Sequence, residues 1–323
     1  MSDFRLKRSP SQEPMVSYML RNMLLNVAHP VRQARTACFV LLVGLTLAAF
    51  WTPVTMLIRF SFQHEQYSHI ILIPLISASL LIRKRREIFS HLATRWREGL
   101  GLLVVGALLY SLGQRHSASA SENDRLSVAI LAVILTWLGG FVLCYGLRAF
   151  RSGLFPLLFL FLMVPIPDFL LNRVIVWLQT GSAEVSYAAF ELVGVPVFRA
   201  GFIFSLPGVT IEVAKECSGI RSSLALLITS LLAGHFFLRS AWTKVLLLLA
   251  ALPLLIIKNG IRIVTLSLLS VYVDPSFLTG RLHHQGGAVF FLITLVLLAP
   301  VLRLLERAER TGSRYRQKSS DLP

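Results

Sequence analysis

Hydrophobic residues in this chain come in long runs rather than in stripes. Eight runs stand out: Ala37–Ile58, Ser68–Ile82, Gly99–Gln114, Leu126–Leu147, Gly153–Pro167, the stretch after Cys217 up to Leu238, Ala241 to at least Ile257, and Gly286–Leu302. A helix that crosses hydrocarbon needs about 20 mostly apolar residues. The pattern therefore predicts an all-α polytopic integral membrane protein with about eight transmembrane helices. The second run is short and stops at Arg83-Lys84-Arg85-Arg86, and the fifth ends in the breakers Val164-Pro165-Ile166-Pro167.

One segment departs from this pattern. Leu170–Val193 carries Asn172, Arg173, Gln179, Glu184 and Glu191 among apolar residues. Such spacing predicts an amphipathic helix, lying at the outer interface or packed inside the bundle. The following stretch, Gly194–Gly208, alternates apolar residues with turn formers that include Pro196 and Pro207. It predicts an extended extracytoplasmic segment that delivers Cys217 to the membrane surface. No internal repeat or low-complexity linker interrupts the chain. The expected organisation is a basic cytoplasmic tail (1–36), a single transmembrane domain (37–305) and a second basic tail (306–323). The first 36 residues are too long and too charged for a simple cleaved signal peptide.

Composition agrees with a lipid environment: 55% of residues are hydrophobic and 15% charged, against about 25% charged in soluble domains. The charges are lopsided, 32 Lys and Arg against 16 Asp and Glu, a net of +16. A soluble protein with that excess would point to nucleic acid, but no soluble stretch here is long enough to fold a reader module. Instead the cations read as orientation signals. With eight crossings, both tails, Arg83–Arg86, Arg148 with Arg151, and Arg239 with Lys244 all fall on the cytoplasmic side of a plasma membrane. Arg115 and Arg125 then fall outside. The three cysteines, Cys38, Cys144 and Cys217, are odd in number and widely spaced without a CxxC. A disulfide framework or zinc cluster does not fit.

Three clusters could carry chemistry. Cys217, in Glu212-Val-Ala-Lys-Glu-Cys-Ser-Gly-Ile-Arg221, opens the sixth apolar run. A helix N-terminus stabilises a thiolate through its dipole and unpaired N–H groups, and the same groups could serve an oxyanion. Arg221 follows one turn on; the alternative is a buried small residue followed by a Ser218 cap. Lys258-Asn259-Gly-Ile-Arg262 lies at the outer end of the seventh run, with Asn259 and Arg262 on one face. An arginine in so apolar a setting marks a functional site or snorkels to headgroups. His283-His284 precedes the last run and offers a general base and acid. No second ligand cluster accompanies the histidines, so no metal or other cofactor is expected. His235, deep in the sixth run, is assigned to a local hydrogen bond. Charge orientation alone places Cys217, Arg262 and His283 on the same, extracytoplasmic face, the pattern of covalent acyl transfer.

These residues, taken in order, resemble the exosortase/archaeosortase family of polytopic membrane transpeptidases. The likeness runs through Tyr67-Ser-His-Ile and its basic stop, Met163-Val-Pro-Ile-Pro, Gly194-Val-Pro-Val, Leu206-Pro-Gly-Val-Thr-Ile-Glu-Val-Ala, Cys217-Ser-Gly-Ile-Arg-Ser, Asn259-Gly-Ile-Arg and His283 with Gly287-Ala-Val-Phe-Phe. The resemblance implies a catalytic trio of Cys217 (nucleophile), Arg262 (oxyanion or substrate stabilisation) and His283 (proton transfer). Arg221, Asn259 and Ser218 would support it. It further implies cleavage of C-terminal sorting signals of the PEP-CTERM type on exported proteins. Transfer would follow to a lipid or glycan acceptor of the envelope, in systems linked to exopolysaccharide. The family's pattern differs at three places. Ile70 stands where glycine is usual. Lys215-Glu216 precedes the cysteine where small residues are commoner, and a carboxylate there opposes thiolate formation. His284 occupies a site often acidic, which makes it the alternative proton carrier.

Two other classes make different demands. A transporter with a polar site near the outer face would use Arg262 and the half-buried acids, and predicts broken helices in paired halves with a mid-membrane site. No such pairing is visible. An enzyme of lipid-linked sugars or phosphates would need paired acidic metal ligands near one face, which the sequence does not supply.

Overall fold

The computed structural model describes residues 33–89, 96–115, 120–278 and 287–320. They are helical apart from one small sheet, and they form two compact units. The first comprises residues up to Leu57 with Ile73–Val164; the second comprises Ile58–Leu72 with the chain from Pro165 onward.

The described chain opens with α1 (Gln33–Ala49) and α2 (Trp51–Gln63), bent by 78° at their junction; α2 belongs to the first unit up to Leu57 and to the second from Ile58. Pro53 explains the bend: it cannot donate to the carbonyl of Ala49, and its ring clashes there. Next come α3 (Leu72–Arg83), the single turn α4 (Arg85–Ile88), α5 (Trp96–Arg115), α6 (Glu122–Tyr145), and the short α7 (Leu147–Ser152) and α8 (Leu154–Phe159). Helices α5 and α6 are joined by six residues and run antiparallel along a glycine seam. A Cβ at Gly99 would lie 2.8 Å from the backbone nitrogen of Leu143, and one at Gly106 would lie 3.1 Å from the Ala132 carbonyl. Gly113, a further seven residues on, faces Val128 in the same way. Small residues at such spacing let helix backbones approach where lipid gives no hydrophobic drive. Ser121 caps α6 by accepting from the Asp124 amide at 3.0 Å.

In the second unit, α9 (Asp168–Val193) leads into three antiparallel strands, β1 (Phe198–Ala200), β2 (Ile203–Leu206) and β3 (Val209–Glu212). The extended segment expected after residue 194 is thus a small meander. Its turns rest on Gly201 (φ +63°) and Gly208 (φ +79°), a conformation that only glycine adopts freely. A 3-10 turn (Lys215–Ser218) then precedes α10 (Ile220–Phe237), α11 (Ala241–Tyr272) and α12 (Gly287–Ser320). Leu226, Leu247, Ala251, Leu255 and Leu298 make the apolar core of these three helices. The Glu309 carboxylate on α12 accepts from the amides of Arg239 and Ser240 and from the Thr243 hydroxyl, capping the start of α11.

Helix α9 turns a soluble helix inside out. Gln179, Ser182 and Ser186 are buried, whereas Phe169, Leu170, Val176 and Trp177 are exposed. In α11, likewise, Lys258, Asn259, Ser267 and Ser270 are buried while Trp242, Leu246, Leu249 and Leu252 are exposed. That inversion suits lipid as the surrounding solvent. By length and apolarity four helices could span a membrane (α6, α10, α11 and most of α12), or six if α1–α2 and the broken pair either side of Pro165–Pro167 each count as one. Each of the eight apolar runs contains a helix, yet among the described residues the count of eight spans is not reached. The second run is only a 12-residue helix, α3, and α5 is not apolar enough to qualify.

Candidate active site

The chain around Cys217 is fixed from both sides within the second unit. On the approach, the edge of β3 runs into Val213, whose amide donates to Phe202 at 2.9 Å and whose carbonyl accepts from Gln179 Nε2 at 2.8 Å. The 3-10 turn that holds Cys217 packs against α9. Beyond it, Gly219 turns the chain with φ +79° and so starts α10. A Cβ on Gly219 would sit 3.1 Å from Oδ1 of Asn259, so the backbone there rests directly on that amide. Glycine serves twice at this position, for the left-handed turn and for the close approach.

Asn259 is itself anchored: its Nδ2 donates to Ser182 Oγ at 2.9 Å. The two helices can meet this closely because Gly260 faces Val185, where a Cβ would approach Cγ1 to 2.5 Å, and Gly181 faces Ile256. Ser186 Oγ donates to the Ser182 carbonyl at 2.7 Å. In the first turn of α10, Ser222 and Ser223 both donate their hydroxyls to the Gly219 carbonyl at 2.9 Å. The Lys258 ammonium donates to Ser222 Oγ. Ser218 is buried, and its hydroxyl has no hydrogen-bond partner among the described residues.

The sequence-derived residues therefore divide into three groups. The turn that carries Cys217 and Ser218 meets Asn259 at Gly219, with Arg262 half-buried one turn beyond Lys258 on α11. Arg221 lies on the first turn of α10 but is exposed. His283 and His284 lie outside the described residues. Sequence reasoning passed over Lys258, whose signal was an ammonium interrupting an apolar run four residues before Arg262. It also gave no role to Gln179, Ser182 and Ser222, since isolated hydroxyls and amides in apolar helices do not show which neighbour they will meet.

The segment from Ile58 to Leu72 belongs to the same unit. Its 3-10 turn (Glu65–Tyr67) packs on α10. Tyr67 is buried and stacks on Phe60 with ring centroids 4.9 Å apart, and its carbonyl accepts from Ser61 Oγ at 2.9 Å. Ile70, placed where the family pattern has glycine, is buried too.

The arrangement is a helix N-terminus bearing a cysteine turn, docked on a polar seam between two other helices and flanked by cations. Residues 61–300 match the family model for transmembrane exosortases, and the chain belongs to that family. It is accordingly a helical membrane protein of a family of membrane sorting transpeptidases. No curated protein and no solved structure gives a match.

Proposed function

We propose that the protein is a cysteine transpeptidase that cleaves C-terminal sorting signals of exported proteins and passes the freed carboxyl to an envelope acceptor. The observation that carries this reading is the docking of the Cys217 turn on Asn259, next to Arg262, in a chain of the exosortase family. Cys217, as thiolate, attacks the scissile carbonyl, and Arg262 stabilises the oxyanion or orients the substrate. The C–N bond then breaks, and the leaving amine takes a proton from His283, with His284 as the alternative donor. An acceptor hydroxyl, amine or water gives up its proton and displaces the thiolate from the thioester. Arg221 and Ser218 are assigned supporting parts at the helix N-terminus.

The substrate in this reading carries a tripartite tail of the PEP-CTERM type: a short motif, an apolar helix and a basic end. The protein sits in the bacterial inner membrane with both termini cytoplasmic and the active site outside, as the distribution of Lys and Arg supports. A link to exopolysaccharide follows from the family resemblance. The test is Cys217→Ala in cells that carry a tailed reporter protein. Uncut precursor should accumulate in the membrane; processing at the normal rate would overturn the reading.

A further inference from the structure

Lys258 is 4% exposed and lies on the helix face that packs toward the cysteine turn. Among the described residues no carboxylate forms an ion pair with it. Among those residues its ammonium donates to Ser222, whose hydroxyl in turn donates to the carbonyl of Gly219, two residues after Cys217. Arg262 stands four residues further along α11. Like charges at this spacing repel, and an ammonium buried without an anion is costly. A fold that buries Lys258 beside the N-terminus of an 18-residue helix sets up a site for negative charge at that N-terminus.

The groups that could supply or offset that charge are few. Gln179 and Ser182 of α9 are neutral, Arg221 of α10 is cationic, and Glu212 and Lys215 on the approach are both exposed. Ser218, buried with a hydroxyl that lacks a described partner, supplies a donor in the same turn.

We propose that Lys258 is a positioning residue for the transfer reaction: anchored through Ser222 to the turn at Gly219, its ammonium holds Cys217 as the thiolate. The S–H proton leaves to solvent before the substrate binds, so the enzyme rests with its nucleophile already ionised. A neighbouring cation is an established means of lowering the proton affinity of a thiol. This inference rests on Cys217 being the nucleophile, but its test does not depend on peptide cleavage.

The test is the pH dependence of alkylation of Cys217 by a small maleimide in membranes, corrected with Cys217→Ala for labelling of Cys38 and Cys144. Lys258→Met keeps the length and removes the charge. It should move the labelling midpoint upward by about one pH unit, so that labelling slows about tenfold at pH values below both midpoints. Lys258→Arg should hold the original midpoint, and Ser222→Ala, which removes only the anchor, should give a smaller upward shift. Ser222→Ala also serves if Lys258→Met fails to accumulate in the membrane. Cleavage of the tailed reporter should fall with Lys258→Met at pH 7 and recover at higher pH. An unchanged midpoint in Ser222→Ala and in whichever Lys258 variant accumulates would overturn the proposal. If Cys217→Ala still processed substrate, the transpeptidase reading would fall, while the labelling midpoint would still report on Lys258.

Discussion

The two units use glycine for the same purpose and bury opposite things with it. In the first, Gly99, Gly106, Gly113 and Gly139 bring α5 and α6 together along an apolar seam. At one end of α6, Phe39, Phe89, Phe141 and Tyr145 complete the packing with ring centroids 4.7–6.4 Å apart. A buried hydroxyl there finds its partner close by, as Ser127 Oγ donates to the Asn123 carbonyl at 2.8 Å. In the second, Gly181 and Gly260 bring α9 and α11 together so that amide and hydroxyl groups meet inside: Asn259 on Ser182, Lys258 on Ser222, Gln179 on the Val213 carbonyl. Close helix contact thus builds a scaffold in one unit and a polar chamber in the other. In lipid the second use is the costlier one, since every buried polar group must find a partner.

The largest expected effect separates these uses. Gly139→Val and Gly260→Val both force a branched side chain against a neighbouring helix, and overpacking of that kind costs about 1–3 kcal/mol. For Gly139→Val, the folded fraction after detergent extraction should fall, while each surviving molecule cleaves the tailed reporter normally. For Gly260→Val, cleavage per folded molecule should be lost as well, because displacing α11 from α9 takes Asn259 off Ser182 and the cysteine turn off Asn259. Normal turnover per folded Gly260→Val molecule would erase the distinction between the units.

Much of this second unit was legible in the sequence, for identifiable reasons. Runs of apolar residues long enough to form helices are visible in any window, and each of the eight contains a helix. Pro207-Gly208 marked the turn that became the β2–β3 hairpin, because proline and glycine constrain the backbone locally. Asn259 was marked by its spacing from Arg262. The number of spans was less legible, since hydropathy does not reveal where a run such as Ala37–Ile58 will bend at Pro53. The polar chamber was hidden for a different reason. Ser182 and Ser222 acquire meaning only through residues 77 and 36 positions away, and single-residue patterns carry no record of such partners.

An intermediate effect tests the chamber by itself. Asn259→Ala removes the bond to Ser182 and leaves that buried hydroxyl short of a partner, at a cost of about 1–3 kcal/mol. It also opens space under Gly219. The protein should still fold and insert, because the apolar contacts of α9 and α11 persist around the site. Reporter cleavage should drop by about tenfold or more, the factor that about 1.4 kcal/mol of lost positioning represents. Full activity with a normal labelling rate at Cys217 would show that Asn259 is only packing.

The smallest effect concerns the sheet, which lies in the second unit but depends on contacts of the first kind. Phe190, Phe204, Leu206, Val213, Ile263 and Val264 bury it against α9 and α11 as an apolar cluster. Arg199 of β1 adds a polar clamp: its Nη2 meets Glu184 Oε1 at 2.8 Å, its Nε donates to the Gly201 carbonyl at 2.9 Å, and its guanidinium lies over Tyr187 and Phe204. Glu184 is 63% exposed, so the ion pair is screened and Arg199 keeps its other contacts without it. Glu184→Gln should therefore scarcely change thermal unfolding in detergent, and the small change should vanish in high salt. Arg199→Met, which removes the carbonyl bond and both ring contacts, should lower the unfolding temperature more, at any salt. Reporter cleavage should be nearly normal in both, since neither residue touches the seam around Asn259. Loss of cleavage in Glu184→Gln would mean that the sheet and the cysteine turn move as one body, and that the polar chamber extends to the outer surface of α9.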